Sequence, residues 1–108
     1  MNIENTRSQM RKGILEFCIL KFLSENEAYP SVIVKFLRES GLEVVEGTIY
    51  PLLTRLKNAS LLSYRWEESN SGPPRKYYQS TDTGIAFMSQ LDETWNQLQK
   101  AVNTINKK

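Results

Sequence analysis

The stretch from Gly47 to Ser80, GTIYPLLTRLKNASLLSYRWEESNSGPPRKYYQS, orders a helix, a strand, a turn with a basic exit and a second strand. Ile49, Leu52, Leu53 and Leu56 recur at helical spacing and form a buried stripe. Thr48, Tyr50, Thr54, Arg55 and Lys57 are left facing out. Pro51 fits a helix best in its first turn, where its missing N–H has no acceptor to lose, so the helix is expected from about Gly47 to Asn58. Leu62, Tyr64 and Trp66 then alternate with Ser63, Arg65 and Glu67, a half-buried strand of period two. Ser69 to Pro74 carries turn chemistry, and Arg75 to Gln79 returns as the partner strand. Helix followed by a basic-tipped hairpin is the pattern of a winged helix.

Working back from Gly47, an apolar face built on Leu15, Cys18 and Phe22 predicts a helix over about Ser8–Ser24. Phe17, Ile19 and Leu23 widen that face, so this helix is expected to be covered on two sides. Asn26 to Pro30 is a connector. Ser31 can cap a second helix that buries Val32 or Ile33, Phe36 and Leu37, with Gly41 just past its end. Working forward, Thr81 caps a last helix with Asp82 beside its positive end. Met88, Leu91, Trp95, Leu98, Val102 and Ile105 alternate spacings of three and four along it. That is a sustained heptad seam, and it predicts pairing with a second subunit. The expected fold class is mainly α (α+β), a winged helix-turn-helix over 1–81 with a dimerisation helix over 82–108.

Bulk properties fit this reading. At 108 residues the chain is one domain, and 40% hydrophobic residues suffice for a core. Net charge is only +2, but between Gly47 and Ser80 five basic residues face two acidic ones. Residues 1–46 are slightly acidic and 81–108 are balanced. The positive excess therefore falls on the helix–hairpin stretch, where a nucleic-acid surface needs it.

Other classes are disfavoured. No histidine is present and Cys18 stands alone, so a zinc site of usual ligands and a His-based general base are both missing. Glu67-Glu68 and Asp92-Glu93 are sequence neighbours that diverge on a strand or helix. The five glycines are scattered, with no phosphate loop. No enzyme activity, metal or cofactor is expected. Cys18 is expected as a buried thiol. The N-terminus lacks the order of a signal peptide, and ILEFCILKFL is too short to span a bilayer. A soluble cytoplasmic protein without membrane contact is expected.

An α-helix fits the major groove of duplex DNA, and its polar side chains reach base edges or phosphates. Thr48, Tyr50 and Thr54 suit that role, with Arg55 and Lys57 at phosphates. At the hairpin tip Gly72 permits close approach, Pro73 and Pro74 stiffen the turn, and Arg75 and Lys76 supply charge.

GTIYPLLTRLKNASLL followed by SNSGPPRKYYQSTDTG resembles the PadR family of bacterial transcriptional regulators, whose hallmark is GTLYPxLxRLExxGLL and then GxxRKYYxLTxxG. The resemblance runs from about Gly13 to Ile85, and the single C-terminal helix resembles the short subfamily. It implies a homodimeric winged-helix repressor of promoter DNA, with the C-terminal helix packed on the partner's first helix. Thr48, Tyr50 and Arg55 fall at recognition-helix positions, and Gly72, Arg75 and Lys76 at the wing. Of Tyr77 and Tyr78, one is expected in the core. Three departures stand out. Pro30 replaces a usual Gly. Ser80 replaces a usual Leu. Asn58-Ala59-Ser60 lacks the usual Gly, so a non-glycine residue takes a left-handed conformation, for which Asn58 is best suited.

Some short members of the family bind flat aromatic compounds between paired indoles. In a symmetric dimer Trp95 from both subunits can approach across the axis. Trp95, Met88, Leu91, Leu98, Val102 and Phe17 are thus candidates for a dimer-interface pocket taking an aromatic or drug-like effector. The rival reading is a winged helix used only for protein–protein contacts, without DNA binding.

Overall fold

Asn2 opens the first helix, its side-chain oxygen accepting from the backbone N–H groups of Glu4 at 2.8 Å and Asn5 at 3.3 Å. In the computed structural model, which describes Met1–Lys108, helix α1 therefore runs Ile3–Glu25, five residues earlier than its apolar face alone predicts. Helix α2 (Pro30–Glu39) begins at a proline, not after a Ser31 cap. Pro30 occupies the first helical position, where no N–H is needed. Tyr29, at the cap, makes no side-chain bond. Ile33, Val34 and Leu37 are buried, while Val32 and Phe36 are exposed, Phe36 stacking on Phe22 with centroids 4.2 Å apart. Gly41, at φ 101°, ends α2. The N–H of Gly41 donates to Arg38 and that of Leu42 to Leu37, closing the last carbonyls.

Helix α3 (Glu46–Asn58) starts one residue before Gly47, which makes Pro51 its sixth residue, beyond the first turn. The residue four places earlier is Gly47, whose carbonyl loses its helical donor. Both residues are exposed, so water can satisfy that carbonyl. The left-handed residue after α3 is Ser60 (φ 64°), not Asn58. Asn58 still lies inside the helix and Ala59 is its C-cap. The bonds from Ser60 N–H to Lys57 and Leu61 N–H to Leu56 place the reversal two residues later.

Strands β1 (Leu62–Ser69) and β2 (Gly72–Ser80) form one antiparallel hairpin. The turn is tighter than expected: Ser69 pairs with Gly72, and Pro73 and Pro74 lie within β2. Both strands of a lone hairpin are edges, so a proline without N–H is tolerated there. Ala28 bridges Tyr78 through bonds of 3.0 and 2.9 Å, tying the hairpin to the α1–α2 connector. Tyr78 is buried and Tyr77 half-buried. Trp66, expected inside, is 62% exposed. It shares a face with Leu62 and Tyr64 but sits where the hairpin has run past the core.

Helix α4 (Asp82–Asn106) is capped by Thr81, whose Oγ1 accepts from Gly84 N–H at 3.0 Å. The same hydroxyl donates to the Ser60 carbonyl at 2.7 Å. Met88 and Leu91 pack on the core, and Lys21 of α1 pairs with Asp92 at 2.7 Å. The core joins α1, α2, α3 and the base of the hairpin around Ile19, Leu20, Ile33, Leu37, Ile49 and Leu53. Ser80, at a position where leucine is usual, donates its hydroxyl to the Leu20 carbonyl at 2.9 Å.

Candidate nucleic-acid interface

At 3.6 residues per turn, burying Ile49, Leu52, Leu53 and Leu56 fixes what α3 can show to solvent. Gly47, Pro51, Thr54 and Asn58 form its outer ridge, all exposed. Tyr50 and Lys57 lie on the flank toward the hairpin. Thr48 and Arg55 lie on the opposite flank, toward α1. The five predicted outward residues are all exposed, but they do not share one face. Asn58 joins them on the ridge without having been expected there, although the 3.6-residue period puts it just beyond Thr54.

On the hairpin flank, Tyr50 and Thr54 face Trp66, Pro74, Arg75 and Lys76 across a cleft of about 470 Å³. Tyr29 and Ser31, from the start of α2, close one end. The sequence carries no signal for those two, because long-range contacts, the Ala28–Tyr78 bridge and the Tyr29–Tyr77 ring contact, bring them there. The basic groups rest on rings: Arg75 lies 5.2 Å from the Tyr29 centroid, and Lys76 lies 4.6 Å from Tyr64 and 5.6 Å from Trp66. Lys57 reaches Tyr64 from α3 at 5.8 Å. Stacking on a ring holds a cation's position while leaving its charge unneutralised. Gly72 sits at the hairpin tip with open space where a side chain would stand.

Two arginines are engaged differently. Arg55 pairs with Glu16 of α1 at 3.1 Å, and that carboxylate is largely buried, so Arg55 is tied to the scaffold. Arg65 is held by Glu67 and by Glu27, the latter at 2.9 Å, and these bonds push its pKa up. Burial, with Tyr64 and Tyr50 nearby, pushes the Tyr78 hydroxyl up as well, so it stays neutral. Cys18 is half-buried, less enclosed than expected, and burial raises its pKa against the pull of Lys21.

The candidate effector residues divide. Phe17 is buried within one copy under Lys21, whose Nζ lies 4.9 Å from the ring, so it is not open to a partner. Met88 and Leu91 are half-buried against their own core. Trp95, Leu98, Val102 and Ile105 are exposed, and increasingly so toward the C-terminus. The cause is that α1 covers only the first half of α4. The expected boundary at Thr81 falls on the α4 cap, yet the helix start packs as part of the winged unit.

The family model of PadR-like transcriptional regulators matches residues 19–90, from α1 through the hairpin into α4. The chain belongs to the PadR-like family of transcriptional regulators. It is similar to a PadR-like transcription factor of known structure from Bacteroides fragilis, at 55% identity, covering 94% of this chain and 98% of that one, with a TM-score of 0.80. A PadR-like regulator from Bacillus cereus is 38% identical over 91% of this chain and 96% of its own, TM-score 0.81. One from Eggerthella lenta is 32% identical over 95% and 90%, TM-score 0.84. This PadR-like chain is thus a DNA-binding regulator and not an enzyme. No helix in it is long and apolar enough to cross a membrane.

Proposed function

We propose that this PadR-like regulator is a cytoplasmic homodimeric repressor that reads a promoter operator with α3 and grips its backbone with the hairpin. The observation that carries this is the cleft in which Tyr50 and Thr54 face ring-stacked, uncompensated Arg75 and Lys76. Thr48, Tyr50 and Thr54 contact base edges or nearby phosphates, and Lys57, Arg75 and Lys76 contact phosphates, with Gly72 letting the tip approach. Arg55 contributes through its bond to Glu16. Phosphate contacts position the protein without reading sequence. Arg75→Ala with Lys76→Ala therefore weakens binding to operator and random duplex alike, lowering the log–log salt slope by about 0.9 for each phosphate no longer neutralised. Fluorescence anisotropy at several salt concentrations measures this. Absence of salt-dependent duplex binding by the wild type would favour the rival protein-contact module.

The effector reading keeps a narrower set. Trp95, Leu98 and Val102 of two copies line the pocket, with Met88 and Leu91 at its floor, while Phe17, buried in its own copy under Lys21, is left out. Planar aromatic compounds are expected to quench tryptophan emission, and Trp95→Ala to abolish the quenching. Persistence of full quenching in Trp95→Ala would assign it to exposed Trp66 and remove the pocket.

A further inference from the structure

We propose that Arg11 and Lys12 of α1 hold the second phosphate backbone of the groove that α3 enters. This rests on the DNA-binding reading above and adds an element to it. The wing cleft covers only one flank of α3. On the other flank, Thr48 and Pro51 meet Ser8, Arg11 and Lys12 across a second cleft of about 370 Å³. The major groove is about 12 Å wide and a helix with its side chains fills about 10–12 Å of it. A helix seated there has a sugar–phosphate strand along each flank. The hairpin cations meet one strand, and α1 presents cations to the other.

Charge in this part of the chain is segregated. Residues 1–12 hold three basic side chains against one acidic, while the acidic excess of residues 1–46 lies after Gly13. Arg7 is taken up by Glu4 at 2.8 Å. Arg11 meets only Glu43, at 3.8 Å, and the Glu43 side chain is 87% exposed, a weak pair that a phosphate can displace. Lys12 is exposed and has no carboxylate partner. The exposed apolar residues of α1, Ile3 and Met10, recur seven apart on a different face. Phosphate binding and subunit pairing therefore do not compete for the same side of the helix.

The test is anisotropy of the full chain on a short random-sequence duplex across a salt series. Arg11→Gln with Lys12→Gln is expected to lower the log–log slope by about 0.9 for each phosphate these side chains neutralise, and to weaken operator and random duplex equally. Arg11→Lys with Lys12→Arg should restore the wild-type slope. Glu43→Gln should tighten binding a few-fold by freeing Arg11. If Arg75→Ala with Lys76→Ala lowers the slope while Arg11→Gln with Lys12→Gln leaves it unchanged, the α1 site is overturned and the wing reading stands. If the wild type shows no salt-dependent binding, both fall together.

Discussion

Gly84→Ala is expected to destabilise the fold by about 3 kcal/mol or more, a fall in melting temperature of roughly 12 °C or more for a chain of this size. A Cβ built at Gly84 stands 2.0 Å from the Leu61 carbonyl oxygen and 3.0 Å from its carbon. Both are backbone atoms, so no rotamer change relieves the clash. The Leu61 carbonyl also accepts from Thr81 N–H at 3.1 Å, and the Thr81 side chain caps the N–H of Gly84 itself. Moving α4 outward to admit a methyl group thus breaks the joint between α3, β1 and α4. Gly13→Ala provides the contrast. Gly13 is helical and exposed with nothing near its absent Cβ, so alanine there should stabilise by about 0.5–1 kcal/mol. Thermal unfolding followed by circular dichroism reads both. A Gly84→Ala protein as stable as wild type would mean the helix is not pinned at Leu61.

Gly84 also shows what could be read from the sequence. Its place four residues after Ser80, in the run that resembles the family hallmark, was visible. The reason for it was not, because Leu61 lies far back in the chain. Local period carried the elements well: the stripe Ile49, Leu52, Leu53, Leu56 is buried as expected, and Tyr78 is in the core. Rules about termini failed where a neighbouring residue absorbed the exception. Pro51 sits in the second turn because the carbonyl it leaves without a donor, that of Gly47, is exposed to water. Ser60, not Asn58, turned left-handed because two backbone bonds fix where α3 ends. For the interface, residue type was readable and grouping was not. Arg55 has the residue type of a phosphate ligand, but the fold sets Glu16 of α1 beside it. The net charge of residues 1–46 does not reveal Arg11 and Lys12, since acidic residues elsewhere in that span cancel them.

Leu98→Glu with Val102→Glu is expected to convert the protein to a monomer and to lower operator affinity by about two to three orders of magnitude. Leu98 and Val102 are 53% and 55% exposed, and with Trp95 and Ile105 they line one side of α4 at spacings of three and four. α4 spans 25 residues, roughly 37 Å, and only Met88 and Leu91 of its seam reach their own core. The remainder is an apolar strip of the kind that marks an interface in a soluble protein. One copy offers one helix and one hairpin, enough for one half-site. Joining two copies makes the second half-site contact intramolecular, with an effective concentration near the millimolar range. Charges on the seam oppose that pairing without touching Tyr50, Thr54, Arg75 or Lys76. A monomer should therefore keep weak, salt-dependent binding to any duplex and lose its preference for a spaced pair of half-sites. Sedimentation equilibrium gives the assembly state and anisotropy the affinity. A variant that stays dimeric would place the subunit contact elsewhere. A monomeric variant with wild-type operator affinity would show that spacing is not what α4 provides.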